Sequence, residues 1–200
     1  MANVPGLKVS GSKNNWLVEQ RIDLSDLLGK SDLPRTLKEQ VGQAIIDSMV
    51  DRVLKEEKSV NGRGMKSYDP DYIASDEFKA YGKSASHVNM KLTGNMMNML
   101  DIKEIDGDTV VIGWKDQENN AKAHGHMTGA NNLPKREFFG ANQKALDLIK
   151  ADFIEDLPKD ETKENAATLS ALDILTRANT APNTDSFGVD FFLGDNFDGN

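Results

Sequence analysis

An α+β fold, with a small antiparallel sheet and several helices packed on it, is what the sequence predicts. Three observations lead there. Residues 33–58 carry apolar side chains at helical spacing, residues 103–114 read as a tight hairpin, and nowhere do strands and helices alternate in the repeating manner of a parallel sheet. The 200 residues suffice for one domain around one continuous core and are too few for two large ones. No internal repeat is visible. The expected organisation is an N-terminal arm over 1–32, an α+β domain over 33–157 and an acidic, phenylalanine-containing C-terminal arm over 158–200.

The first expected element is a long amphipathic helix over 33–58. Ser31 or Asp32 can cap it, Pro34 suits its first turn, and Leu37, Val41, Ala44, Ile45, Met49 and Val53 form one apolar stripe opposite a charged face. Asn61-Gly62-Arg63-Gly64 should end it, and Tyr68-Asp69-Pro70 is turn chemistry that opens a loop or a short helix. A short helix follows over 93–100, capped by Thr93 and weakened by Gly94. The hairpin pairs 103–105 with 109–114 around Asp106-Gly107, a dipeptide favoured where both turn residues take positive φ. Residues 118–128 read as a short helix ending near Gly129, and Leu133 to Phe139 as a further strand. A last amphipathic helix spans 142–157, with Asn142 as cap and Leu146, Ile149 and Phe153 on one side.

Composition narrows the function. Hydrophobic residues make up 38% and charged residues 28% of the chain, and apolar runs such as Ala44-Ile45-Ile46 stop at three residues, whereas a bilayer span takes about 20. A soluble protein without a secretory leader is expected. Lys plus Arg number 24 against 32 Asp plus Glu, a net charge of −8, which opposes affinity gained by neutralising phosphates. The absence of cysteine removes disulfides, thiolate metal sites and thiol catalysis together. The acidity concentrates at the end: residues 157–200 hold eight acids against Lys159, Lys163 and Arg177, hence −5, and no base follows Arg177. Disordered acidic tails usually lack aromatics, yet Phe187, Phe191, Phe192 and Phe197 are four of the eight phenylalanines. They point to an arm that docks on a neighbour or on its own body.

Motifs of catalysis are mostly wanting. Gly82-Lys83-Ser84 ends like a phosphate-binding loop, but position 77, where that motif needs glycine, is Glu77. Gly62-x-Gly64 is too short for a dinucleotide site, and no Gly-x-Ser-x-Gly elbow occurs. His124 and His126 form the one histidine pair, with His87 the third histidine; a strand or loop could aim both rings at one metal, which makes a metal-dependent enzyme one alternative. The bases of 55–91 make a nucleic-acid-binding module another, against the opposing net charge. Neither a cofactor nor enzymatic activity is expected.

From Val88 onward a series of motifs appears in a fixed order. It comprises Val88-Asn89-Met90-Lys91-Leu92-Thr93-Gly94-Asn95-Met96-Met97, the hairpin end Val111-Ile112-Gly113-Trp114, the segment Ala121-Lys122-Ala123-His124-Gly125-His126, and Leu133-Pro134-Lys135-Arg136-Glu137-Phe138-Phe139-Gly140. The series resembles the tailed-bacteriophage virion-morphogenesis proteins, also called tail completion or neck proteins, over about residues 35–155. Pro134-x-Arg136-x-Phe138-Phe139-Gly140 is its sharpest piece, and Asn120 stands where that family often has tyrosine.

The resemblance implies a non-catalytic virion protein of the head–tail junction, made in the host bacterial cytoplasm. It would form a homo-oligomeric ring, a hexamer or dodecamer, that joins the portal or connector to the tail tube or tail terminator. DNA would pass through without sequence-specific binding, and no membrane is involved. Leu92, Thr93, Gly94, Pro134, Arg136, Phe138, Phe139 and Gly140 are the expected interface or motif residues, and Phe187, Phe191, Phe192 and Phe197 the expected docking arm. Physically, Pro134 keeps Leu133 extended, Arg136 offers a donor fork to a neighbour, and Phe138 and Phe139 alternate on a strand so that one fills the core while the other meets the next subunit. Alternatively Arg136 lies on the surface and both rings are core. Gly140 lets the chain turn into the last helix.

Overall fold

The computed structural model describes residues 4–12, 15–86, 88, 90, 95–130 and 133–157. Strands β1 (Leu7–Ser12), β2 (Asn15–Asp23), β3 (Asp101–Asp106) and β4 (Thr109–Gly113) form an antiparallel sheet in the order β1-β2-β4-β3. Helices α1 (Leu24–Leu28), α2 (Arg35–Leu54), α3 (Pro70–Ala74), α4 (Asp76–Ala80), α5 (Asn95–Asn98), α6 (Gln117–Thr128) and α7 (Gln143–Phe153) pack with it. The class is α+β with a small antiparallel sheet.

Residues 7–23 are not a separate arm. They supply half of the sheet, and β2 lies centrally between β1 and β4, from Glu19 opposite Gly113 to Asp23 opposite Thr109. Glu19-Gln20-Arg21 in mid-strand hides the two-residue period, yet Val18, Gln20 and Ile22 share one buried face. Gln20 tolerates complete burial because every polar atom is used. Its Nε2 donates to the carbonyls of Pro5 (2.8 Å) and Ala141 (2.9 Å), and its Oε1 accepts from the Ala141 N–H (2.8 Å). On the opposite face Glu19 pairs with Lys103 at 2.7 Å.

Helix α2 is shorter at both ends than the periodicity suggests. Pro34 stands at its N-cap without a side-chain cap, and Asp32 adopts a left-handed φ of 56°. The free N–H groups of Asp32 and Leu33 instead donate to the Asp108 carboxylate (2.8 and 3.1 Å), which Lys38 neutralises at 2.9 Å. A distant hairpin tip thus anchors the turn that leads into the helix, while the helix itself starts without the side-chain cap expected of Ser31 or Asp32. At the other end Lys55 caps the helix, Glu57 turns left-handed, and Lys58 bridges to Gly64. The buried face includes Leu37, Val41, Ile45, Met49 and Val53, widened by Gly42 and Ile46, while Ala44 packs at its margin.

The hairpin turn sits one residue later than expected. Asp106 pairs with Thr109, so the two loop residues are Gly107 and Asp108, and of these Gly107 alone has positive φ (54°). Residues 133–139 adopt no strand. Asp69 caps α3, Asp116 caps α6, which ends in the left-handed Gly129, and Asn142 caps α7, followed by a 3-10 turn over Ile154–Asp156. Thr93 and Gly94, expected before α5, lie outside the described residues, as does the whole of 158–200. Among the described residues no helix is long and apolar enough to cross a membrane.

Candidate functional site

Trp114 is fully buried and joins the segments that carry the resemblance. Its indole N–H donates to the Met96 carbonyl of α5 at 2.6 Å, and its ring lies 5.0 Å from Phe139 and 6.3 Å from Phe138. Asn120 of α6 donates to the Trp114 carbonyl (2.7 Å) and accepts from the Val18 N–H of β2 (3.0 Å). Asn120 therefore occupies a buried bridging position that its polar character does not announce. The Arg136 N–H returns to the His126 carbonyl at 2.7 Å, which fixes the irregular 133–139 run against the end of α6.

Phe138 and Phe139 do not alternate between core and surface. Both are buried, at 0% and 1% exposure, because the run is irregular and the two-residue period of a strand does not apply. Gly140 continues this close packing: its φ is 108°, and a Cβ there would come within 2.6 Å of Val4 Cγ1. Arg136 is buried too, at 4% exposure, so it is not a surface residue. Its Nε donates to the Lys66 carbonyl (2.8 Å), its Nη2 to the Ser67 carbonyl (3.0 Å), and its guanidinium lies 5.0 Å from the Tyr68 ring centre. Much of the donor fork expected to face a neighbour is spent within the chain.

Arg136 forms part of the lining of a cavity of about 470 Å³, whose walls include Tyr68, Tyr72, Lys83, Met90, Leu133 and Pro134. Tyr68, Tyr72 and Phe78 meet edge to face, with centroids 5.3 to 5.7 Å apart. Local sequence builds this cluster: Asp69 and Pro70 start α3, Ser75 caps α4, and the two short helices bring Tyr72 and Phe78 against Tyr68. The Lys83 ammonium also contacts Tyr68, 4.6 Å from its ring centre. Burial, with Arg136 adding to it, lowers the Lys83 pKa against the opposing pull of Glu77. Burial likewise raises Tyr72.

The two imidazoles are not brought together. Two residues apart on a helix lie about 200° apart around its axis. His124 packs on Trp16, with centroids 4.5 Å apart, whereas His126 points to Arg136, its Nδ1 3.5 Å from Nη1. Burial, reinforced by Arg136 and Lys83, pushes His126 down to about 4. It is a neutral neighbour of the guanidinium. His87, Leu92, Thr93, Gly94 and the four tail phenylalanines lie outside the described residues. The sequence places Lys83 among the bases of 55–91 and leads one to expect Tyr68 and Tyr72 to pack, without joining the three to Arg136. The one local signal was the four-residue spacing of the tyrosines, and it does not reveal that Arg136 joins them.

No family model matches the chain, and neither a curated protein nor a solved structure matches it.

Proposed function

We propose that the chain is a structural protein of the tailed-bacteriophage head–tail junction, a neck, tail completion or tail terminator component. It works as a homo-oligomeric ring between the portal or connector and the tail, made in the host bacterial cytoplasm and carried in the virion. DNA passes through it, and no bond is made or broken. The observation that supports this reading most is the meeting of motifs at Trp114. Met96 of the first motif, Trp114 of the second, the α6 segment and the Arg136–Phe139 run each touch another within one cluster. The α+β architecture is compatible with the role, and a closed ring repeats each modest contact around its axis.

The experiment is imaging of virions that incorporate an epitope-tagged copy, combined with mass photometry and negative staining of the purified full chain with its portal and tail partners. Label at the single head–tail vertex, together with closed rings of six or twelve copies, is the expected result. Virions that lack the chain and still deliver their genome would overturn the proposal.

A further inference from the structure

The cavity beside Arg136 is occupied by no function assigned above. Its buried end is cationic: Arg136 contacts two carbonyls, an imidazole nitrogen and an aromatic ring, and Lys83 contacts the same ring, so among the described residues neither has a carboxylate in contact. His126, neutral near pH 7, adds no charge. The acids of the lining, Asp69 and Glu77, are both exposed; Asp69 is already committed to capping α3, and Glu77 exerts on Lys83 the pull described above. The walls are aromatic and apolar, and Leu133 stands 37% exposed at the opening. Such a site takes a carboxylate held next to an apolar or aromatic group, and about 470 Å³ lies in the range of ordinary ligand pockets.

The sequence itself contains that combination. Beyond Arg177 there is no base, and each phenylalanine there lies within two residues of an aspartate; Asp190-Phe191-Phe192 is the densest instance. Asp190 is 33 residues beyond Leu157, a span of up to roughly 110 Å when extended, enough to reach another subunit. We propose that the cavity is a docking site for the Asp190–Phe192 segment of a second copy, with the Asp190 carboxylate toward Arg136 and Lys83 and a phenylalanine ring against Tyr68 and Tyr72. That the donor is a second copy rests on the ring proposed above. The contact would make each subunit a latch for its neighbour.

The test uses the full chain carrying Phe191→p-benzoylphenylalanine, prepared as an equal mixture of light and heavy isotopic copies, irradiated and mapped by mass spectrometry. Cross-links joining light to heavy chains at Met90, at 68–72 or at 133–136 are expected, with a yield that falls about fivefold in Lys83→Glu. Cross-links confined to single chains, or landing elsewhere, would overturn the proposal. Independently, a fluorescent peptide of residues 184–198 is expected to bind the unmodified full chain, and Asp190→Asn in the peptide to weaken binding about tenfold; equal binding would also overturn it. Mass photometry of the same samples separates the two readings. Closed rings without cavity cross-links reject the docking alone, and cavity cross-links between chains that close no ring even with the portal and tail partners added reject the ring alone.

Discussion

His126 is where a single side chain ties the fold to pH. Its folded form stays neutral down to about 4, whereas in the unfolded chain it takes a proton near the ordinary 6.5. Between those values protons bind the unfolded state first. The stabilisation is therefore complete above 6.5 and is lost as pH falls toward 4, by up to about 3 kcal/mol. Urea denaturation at pH 7, 6 and 5 should show this slope in the native chain, and His126→Gln should flatten it. Arg136 has a related consequence. With two carbonyls and the Tyr68 ring as partners, Arg136→Ala is expected to destabilise the folded subunit itself by about 3 kcal/mol, visible in the thermal melt before any assembly is assayed. Arg136→Lys cannot reproduce the planar fork and should recover less than half of that loss. From sequence, the Arg136 position within a motif was visible; its partners were not, since Lys66 and Ser67 lie some 70 residues away.

Among the elements, α2 shows how periodicity and tertiary contact divide the work. The apolar stripe places the helix and its inner face, because a 3.6-residue repeat leaves few other ways to bury Leu37, Val41, Ile45, Met49 and Val53 together. The turn that leads into it is held by Asp108, a residue of the distant hairpin, and that contact is invisible in the local sequence. Gly42 sets how near the helix lies to the sheet. An added Cβ would come within 2.7 Å of Ile102 Cδ1 and 3.1 Å of Val110 Cγ1. For Gly42→Ala, a helix-propensity gain of about 1 kcal/mol offsets most of the repacking, so stability should stay within about 1 kcal/mol of the native chain. Gly42→Val adds bulk and loses part of that propensity, and should cost about 2 kcal/mol in urea denaturation. Strand β2 went unread for a related reason: Glu19 and Gln20 are polar by type and buried by partnership.

For the whole molecule, charge is the property most directly read from composition. At a net −8, non-specific DNA affinity should be weak, and filter binding at ~0.15 M salt is expected to show no retention below about 10 μM protein. Retention that falls steeply with added salt would instead favour the nucleic-acid-binding alternative. The metal-dependent alternative loses its geometric premise, because the helix that carries His124 and His126 sends one ring to Trp16 and the other to Arg136.

Sequence alone determined the α+β class, a helix within 33–58, the hairpin, the caps at Asn142 and Gly129, and the acidic balance, all of which depend on neighbours a few residues apart or on composition. Only the tertiary structure decided that residues 7–23 complete the sheet, that Phe138 and Phe139 both turn inward, and that Arg136, Lys83 and two tyrosines surround one cavity. The reason is physical. Burial of a polar or charged side chain depends on partners brought close by folding, and no local pattern encodes which distant carbonyl or ring will be there.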